Sequence, residues 1–392
     1  METTSSSVPT PADAKSKEIS RLLFIDDIRI YLTVLVLLHH LMIIYAGTGG
    51  WIWTEGRQDV VTNSLGGWFC ATNQAYFMGL FLLISAYFVP GSYDRKGAFR
   101  FLKDRLIRLG IPLVVYCWTI NPLFVYVVFF RDRMSLWQFF PSEYFSGGEL
   151  IGQGPLWFVE VLLIFSLVYV LWRLLVRSRT TDPSRAAHFP GNGVIALFAL
   201  LLGVVSFLVR LVFVVDFDRI VPLNLQLPFF IQYVALFILG LIAFRRNWLM
   251  NLPDKTGRLW LGVAGFLLLF WAPMMVVNGA IDGNTLFKGG LHWQSLVYAL
   301  WESFLCVAMC IGLIYVFRRY LNRPNKVLEF LKSNTYTAYL IHAPVITALA
   351  LATQDIMLYP LLKFVIAALV TIPLCFGISS LIRKLPYADR VL

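Results

Sequence analysis

Two ionisable side chains, Arg29 and His40, lie in one long apolar run near the start of the chain. Eleven residues at about 100° each complete three helical turns plus roughly 20°, and they rise about 16 Å along the axis. In a helix the two side chains therefore share one face, with Arg29 at one end and His40 near the middle. A guanidinium binds phosphate through paired hydrogen bonds, and an imidazole accepts a proton near neutral pH. The spacing predicts an anion site at the helix end and a base or nucleophile above it.

The same two residues also have a simpler interpretation. Arg29 can reach the membrane surface along its own aliphatic stem, and His40 can hydrogen-bond a neighbouring helix. His39, whose side chain points about 100° away from His40, is predicted to be structural. Other polar residues in the apolar runs help to decide between the two interpretations.

These other polar residues fall at two levels. Counted from the ends of their runs, Glu160, Arg210 and Glu302 lie in the outer third, and with His40 just below they predict a polar cavity open to the outside. Taken singly, each is equally consistent with a structural ion pair. At the cytoplasmic level lie residues that together could bind an anionic cytosolic ligand: Arg29, Arg105, Arg108, Tyr336, Tyr339 and His342. For the arginines alone, contact with the anionic inner leaflet is the simpler interpretation.

The elements that position these residues are predicted to be membrane-spanning helices. Of the 392 residues, 58% are hydrophobic and 14% are charged, whereas soluble domains carry about 25% charged residues. Ten apolar runs are long enough to cross a bilayer. They lie near residues 28–46, 68–89, 111–130, 156–176, 193–215, 228–244, 259–278, 294–317, 335–352 and 357–382.

Lysine and arginine are concentrated in every second connection. Basic clusters lie at residues 15–21, 95–108, 173–185, 245–258, 318–332 and 383–390, and the opposite connections carry only Arg57, Arg131, Arg133, Arg219 and Lys288. The positive-inside rule then predicts an all-α, multi-pass protein of the cell membrane with both termini in the cytoplasm. The net charge of +11 is assigned to contact with the lipid bilayer, and nucleic acid is not predicted as a partner.

Three further segments and the cysteines carry expectations of their own. The polar residues 1–20 lack an apolar signal region and are predicted to form a disordered cytoplasmic tail, with residues 21–392 as one transmembrane domain. Residues 97–110 are predicted to form a basic amphipathic helix on the cytoplasmic face. Residues 131–155 are expected to cap a cavity or re-enter the membrane. The five cysteines show no metal-ligand spacing, so no metal site is predicted.

With these motifs in hand, the chain resembles the acyltransferase 3 family of membrane O-acyltransferases, in particular its glucan biosynthesis protein C-like branch. The diagnostic element is a basic residue and a histidine separated by ten residues in the first helix. Five stretches carry the resemblance in chain order: Arg29 with His40, FLLISAYF with Ser85, Arg105-Leu-Ile-Arg108-Leu, PLWFVEVLLIF with Trp157 and Glu160, and SNTYTAYLIHAP with Tyr336, Tyr339 and His342. Ala86 stands where the family more often has glycine. Ser85 is expected to serve helix packing.

The resemblance implies transfer of an acyl group from cytosolic acyl-CoA to a hydroxyl of a carbohydrate or other acceptor. Acyl-CoA is then a donor substrate, and no permanently bound cofactor is expected. His40 would act as general base or take the acyl group itself. The remaining expected roles are phosphate binding by Arg29, Arg105 and Arg108, orientation of His40 or the acceptor by Glu160, contact with the pantetheine arm or thioester by Tyr339 and His342, and acceptor binding by Trp157, Arg210 and Glu302.

Two other classes share some of these features. A secondary transporter or exporter of a polar solute also places ionisable groups near the middle of the membrane. Against it, no internal repeat is visible, and the spacing of Arg29 and His40 has a better account in acyl transfer. An acyl-binding sensor that keeps the fold without the activity is the second alternative. A transporter would release no CoA from acyl-CoA, and a sensor would bind acyl-CoA without consuming it.

Overall fold

The computed structural model describes residues 23–47, 49–55, 59–145, 152–176, 188–215, 219–220, 225–280, 283–321 and 325–392. The predicted N-terminal tail lies outside these ranges. Within them, ten helices are long and apolar enough to cross a membrane. The predicted all-α, ten-span architecture is therefore confirmed, while the side of the membrane on which the termini lie stays a prediction.

Each predicted span overlaps one of the ten helices. The helices are α1 (Leu23–Ala46), α2 (Val60–Tyr87), α3 (Val89–Phe130), α4 (Gly154–Val176), α5 (Asn192–Arg210), α6 (Leu227–Arg245), α7 (Asp254–Val277), α8 (Trp293–Leu321), α9 (Lys326–Ala352) and α10 (Pro360–Ile382). Shorter elements are the helices Leu136–Phe139, Trp248–Asn251 and Ala388–Val391, the single turns Phe140–Tyr144 and Leu286–Lys288, and an antiparallel pair of two-residue strands, β1 (Arg219–Ile220) and β2 (Leu225–Gln226).

Helix α3 joins two elements that the sequence predicts separately, the basic stretch 97–110 and the third span. It bends at Gly97, whose φ of +71° costs a glycine little. It then continues to its end in alternating α and π turns. Pro112 and Pro122 lack the N–H of a regular α-helix, and a π turn lies just before each of them. The predicted helix over the basic stretch 97–110 is therefore present, but it continues directly into the third span instead of forming an element of its own.

The centre of the bundle is built by α1 and α2. Helix α1 packs against α2, α9 and α10, and α2 packs against α6 and α8. The α2–α6 contact depends on Gly240, because a Cβ at that position would lie only 2.3 Å from the carbonyl oxygen of Leu83. In a bilayer, where lipid tails are as apolar as leucine, such close packing holds helices together. Helices α1 and α2 are 72% and 78% buried, against 22% for α3 and 28% for α5, whose remaining apolar surface suits contact with lipid.

Ion pairs connect the helix ends on one face of the bundle, which we call the basic face. Asp94 of α3 pairs with Arg173 of α4 at 3.0 Å and with Arg245 of α6 at 2.6 Å. Asp26 of α1 pairs with Lys332 of α9 at 2.7 Å. These residues belong to the predicted cytoplasmic ends of five helices, so the ends that the charge pattern groups together are also neighbours in space.

Candidate active site

His40 of α1 and His342 of α9 are in direct contact. Nδ1 of His40 lies 3.1 Å from Nε2 of His342, and the two rings stack with their centroids 5.0 Å apart. His342 is fully buried, and its Nδ1 lies 2.5 Å from the carbonyl oxygen of Tyr339, three residues earlier on the same helix. A chain of three polar groups therefore connects the α9 backbone to His40.

The direction of these hydrogen bonds follows from the acceptor at the end of the chain. A carbonyl oxygen only accepts, so Nδ1 of His342 must donate to Tyr339. In a neutral imidazole the other nitrogen is an acceptor, so Nε2 of His342 receives the Nδ1 proton of His40. The tautomer of His40 is thereby set, and its Nε2 carries the lone pair of a potential base.

His40 lines a cavity of about 720 Å³, a volume within the usual range for small-molecule sites. Its wall combines residues from eight of the ten helices and three connections, and aromatic side chains dominate it, among them Trp51, Tyr116, Trp157, Phe229, Tyr233 and Trp271. Among the described residues, no aspartate or glutamate lines the cavity. The cavity therefore offers aromatic faces and uncharged donors beside the imidazole of His40, with Lys288 as a basic residue on its wall. His39, predicted to be structural, also lines it.

Trp51, in the connection between α1 and α2, covers the imidazole of His40. The two ring centroids are 4.2 Å apart, and Nε1 of Trp51 donates to the hydroxyl of Thr347 on α9 at 3.0 Å. Gly47 and Gly49 precede it with φ values of +65° and +115°, conformations that glycine adopts readily. Trp51 is not among the site residues predicted from the sequence. The signal that would identify it is a tryptophan directly after paired glycines, just beyond the helix that carries His40.

The predicted arginine cluster is brought together at the basic face. Arg29 of α1 bonds Asp26 at 3.1 Å, and Arg105 of α3 lies close enough to Arg29 and Arg108 for their charges to interact. The hydroxyl of Tyr336 on α9 donates to the carbonyl oxygen of Arg108 at 2.6 Å. Three helices thus converge on one positively charged region at the end of α1.

Two other predicted site residues line the cavity. The hydroxyl of Tyr339 donates to the carbonyl oxygen of Pro155 at 2.5 Å, which connects α9 to the first turn of α4. Trp157 stacks on Tyr233 with their ring centroids 5.3 Å apart. The 131–155 segment, predicted to cap a cavity, contributes Gly154 and Pro155 to the wall, while residues 146–151 lie outside the described ranges.

The predicted outer layer of polar residues does not form one group. Arg210 of α5 donates to the carboxylate of Glu302 of α8, and both side chains are buried. The guanidinium lies over the ring of Tyr298, at 5.7 Å from its centroid. Glu160 of α4 is half-buried, and its Oε2 has no hydrogen-bond partner among the described residues. None of these three charged residues lines the cavity of His40.

A bundle of membrane-length helices, with a histidine base on a partly open cavity and a cluster of arginines at the basic face, has the features of a membrane-embedded group transferase. A family model described as an acyltransferase domain matches residues 22–380. The chain therefore belongs to this acyltransferase 3 family, which confirms the resemblance, and it is a multi-pass membrane acyltransferase.

Among curated proteins, the chain is similar to glucans biosynthesis protein C of Salmonella heidelberg (strain SL476), Salmonella schwarzengrund (strain CVM19633) and Salmonella typhi. Each is 28% identical over 252 residues, which is 61% of this chain and 60% of the relative. The match thus covers less than two thirds of the length of these relatives. No solved structure matches the chain.

Proposed function

We propose that the protein, in the cell membrane, transfers an acyl group from cytosolic acyl-CoA to a hydroxyl of a carbohydrate or similar acceptor, with His40 as general base. The observation that carries the proposal is the chain from Tyr339 through His342 to His40, which leaves Nε2 of His40 as an acceptor on a cavity large enough for two reacting groups. The names of the curated relatives, which refer to glucan biosynthesis, support a glucose-containing acceptor.

The arginine cluster supports acyl-CoA as the donor. CoA carries several phosphates, and guanidinium groups form charge-assisted hydrogen bonds with phosphate. Arg29 lies on the same face of α1 as His40, and the rise between them is about 16 Å. In our proposal the CoA phosphates bind at the basic face, and the pantetheine arm follows this face of α1 until the thioester reaches His40.

The proposed reaction is a direct transfer. Nε2 of His40 takes the proton of the acceptor hydroxyl while the hydroxyl oxygen bonds to the thioester carbon. The carbonyl electron pair moves onto its oxygen and then re-forms the double bond as the carbon–sulfur bond breaks. The CoA thiolate leaves and receives the proton from the His40 imidazolium, which restores the neutral base.

His342 is proposed as a positioning residue in this reaction. Its Nε2 can accept the Nδ1 proton of His40 both when His40 is neutral and when it is an imidazolium, so the hydrogen bond persists through the proton transfer. In this proposal His342 orients His40, the role that was expected from the sequence for Glu160. A neutral partner also avoids leaving an unpaired charge in the apolar interior once the proton has left.

Turnover of a thioester by purified protein in detergent tests the proposal. Acetyl-CoA or succinyl-CoA is supplied with a panel of glucose oligosaccharides, and CoA thiol and acylated oligosaccharide are both measured. We expect CoA release that depends on the oligosaccharide and is lost in His40→Gln, which keeps an amide but has no base. Binding of the acyl-CoA without thiol release would favour a sensor. Oligosaccharide uptake into proteoliposomes without thiol release would favour a transporter.

A further inference from the structure

One hydroxyl on the cavity wall has no hydrogen-bond partner among the described residues. It belongs to Tyr116 of α3, whose side chain is 1% exposed. A buried phenol normally finds a partner, because burying an unsatisfied hydroxyl costs about 1–3 kcal/mol. The Tyr116 hydroxyl is therefore a donor held ready at the cavity that His40 also lines.

Tyr339 connects this hydroxyl to the histidine pair. Its ring centroid lies 5.4 Å from that of His342, and its hydroxyl is close enough to that of Tyr116 for the two to interact electrostatically. Gly154 adjoins the same place, since a Cβ at this position would lie 3.5 Å from the Tyr116 hydroxyl oxygen. With its φ of +47° and no side chain, Gly154 leaves open space beside the hydroxyl.

The nearby groups that could polarise a thioester are already engaged. Tyr339 donates its proton to Pro155, and His342 uses one nitrogen on the backbone and the other on His40. Contact with the thioester was expected from the sequence for Tyr339 and His342. Tyr116, next to Tyr339, carries a hydroxyl on the cavity wall that has no hydrogen-bond partner among the described residues.

We propose that the Tyr116 hydroxyl donates a hydrogen bond to the carbonyl oxygen of the bound thioester and stabilises the oxyanion that forms when the acceptor oxygen adds. This inference rests on the proposed function, since it supplies the stabilising donor for that same transfer. The proton of Tyr116 stays on the phenol throughout. The bond to the carbonyl oxygen strengthens as negative charge develops there, which lowers the barrier more than it lowers the energy of the bound substrate.

Tyr116→Phe tests the proposal, because it removes the hydroxyl and keeps the ring. Removing one oxyanion donor typically costs about 10² to 10³ in kcat, so we expect a loss of that order in CoA release. The KM for acetyl-CoA should change little. The melting temperature in detergent should be equal to or above that of the wild type, because the lost hydroxyl had no partner among the described residues.

Tyr144→Phe is the matched control. Tyr144 is also fully buried, but its hydroxyl already has partners, the carbonyl oxygen of Cys117 and the side chain of Asn121, and Tyr144 itself does not line the cavity. Its loss should lower the melting temperature and leave kcat near the wild-type value. The two variants should therefore change activity and stability in opposite ways.

Two results would overturn the role of Tyr116 while the proposed function stands. The first is that the wild-type protein turns over acetyl-CoA and the turnover by Tyr116→Phe lies within about twofold of the wild-type value. Loss of an oxyanion donor should instead lower turnover roughly a hundredfold. The second is a parallel fall in melting temperature and activity, which would make the hydroxyl structural. A wild-type protein that releases no CoA with any oligosaccharide would instead contradict the proposed function itself.

Discussion

Two buried pairs of polar side chains in the bundle, a histidine pair and an ion pair, differ in whether a polar atom remains free to meet a substrate. His40 and His342 meet between α1 and α9, and one nitrogen remains available at the cavity. Arg210 and Glu302 meet between α5 and α8, and their charges are directed at each other. Both pairs join helices that are far apart in the chain, but of these four residues only His40 lines the cavity in which substrates can meet.

The difference follows from what each pair needs in an apolar interior. A neutral imidazole loses less solvation energy on burial than an ion, so His40 can leave one nitrogen without a protein partner. A buried guanidinium or carboxylate that loses its partner is an uncompensated charge, which is strongly destabilising. We therefore expect the histidine pair to control the chemical step and the ion pair to control stability. Each of the following variants tests this division.

The largest effect is expected for His40→Ala. General-base catalysis is typically worth roughly 10² to 10⁴ in rate, so turnover of acetyl-CoA should fall at least about a hundredfold. The melting temperature should stay close to that of the wild type, since no charge is left unpaired. Steady-state thiol release and thermal unfolding in detergent provide the two measurements.

His39→Ala is the control for this prediction. His39 also lines the cavity, but its ring packs on Phe77 with the centroids 4.9 Å apart, and it has no contact with His342 like that of His40. Its activity loss should be much smaller and should follow its loss of stability. Equal and proportional losses in both variants would mean that His40 is a packing residue as well.

The opposite pattern is expected for Glu302→Gln. It leaves Arg210 buried without a counter-charge, and breaking a buried pair in this way costs about 3–5 kcal/mol. The melting temperature should fall strongly, whereas the kcat of the protein that remains folded should be near normal. Arg210→Met combined with Glu302→Leu should recover much of the stability, because no charge is then left alone. An unchanged melting temperature with a raised acceptor KM would instead support the acceptor-binding role predicted from sequence.

The sequence was sufficient for features that depend on neighbouring residues. Hydropathy is local, so the ten spans follow from composition alone. Helix periodicity is also local, and it correctly puts Arg29 and His40 on one face of α1. The continuity of α3 was missed because the charged stretch before Pro112 has the pattern of a surface helix, although its chain continues in helical turns.

Contacts between distant helices could not be predicted in this way. His342 was expected near the basic face, because its apolar run was taken to begin at residue 335. A helix that begins there places His342 only about 10 Å from its first residue. Helix α9 begins at Lys326, so His342 lies about 24 Å along it, level with His40. The unpartnered hydroxyl of Tyr116 is a property of packing, and a sequence does not indicate which tyrosine lacks a partner.

A smaller kinetic effect is expected for His342→Gln. The amide can still bond His40, but it no longer holds the imidazole in one tautomer as the His342 ring does. Loss of a hydrogen-bond partner that orients a metal-binding histidine typically costs roughly 10- to 100-fold in affinity or activity, and we expect a fall of that order here. The fall should appear in kcat and not in the KM for acetyl-CoA. If kcat were unchanged, His342 would serve helix packing only, and the hydrogen bond to His40 would have no part in the reaction.

Arg29 tests the donor end of the same helix face. Arg29→Ala should raise the KM for acetyl-CoA roughly tenfold, since a hydrogen bond to a charged group is worth about 1.5 kcal/mol at the low end of the range. Arg29→Lys should recover only part of the affinity, because a point charge replaces a paired donor. Arg173→Gln, which removes an arginine already paired with Asp94 at the same face, should leave the KM unchanged. A normal KM in a well-folded Arg29→Ala would rule out phosphate binding by Arg29.

The smallest effect is expected at Asp59, a partly exposed residue at the start of α2, which shows how little a polar contact contributes at the surface. Asp59 precedes α2 and accepts hydrogen bonds from the hydroxyl of Thr62 at 2.5 Å and from the backbone N–H groups of Val61 and Thr62, both at 3.0 Å. The hydrogen bonds from Thr62 hold the pKa of Asp59 below its ordinary value of 3.8. The stabilising effect is therefore complete well above pH 3.8 and is lost as the pH falls below this value.

Comparison of two helix caps isolates this charge. Asn325 begins α9 in the same way, accepting from the N–H of Val327 at 2.8 Å, but it has no ionisable group. Asp59→Ala should lower the melting temperature slightly at neutral pH, and the difference from wild type should shrink as the pH falls below 3.8. Asn325→Ala should lower it by an amount that does not depend on pH. A pH-independent difference for Asp59→Ala would mean that the charge of the Asp59 carboxylate contributes nothing to stability beyond its hydrogen bonds.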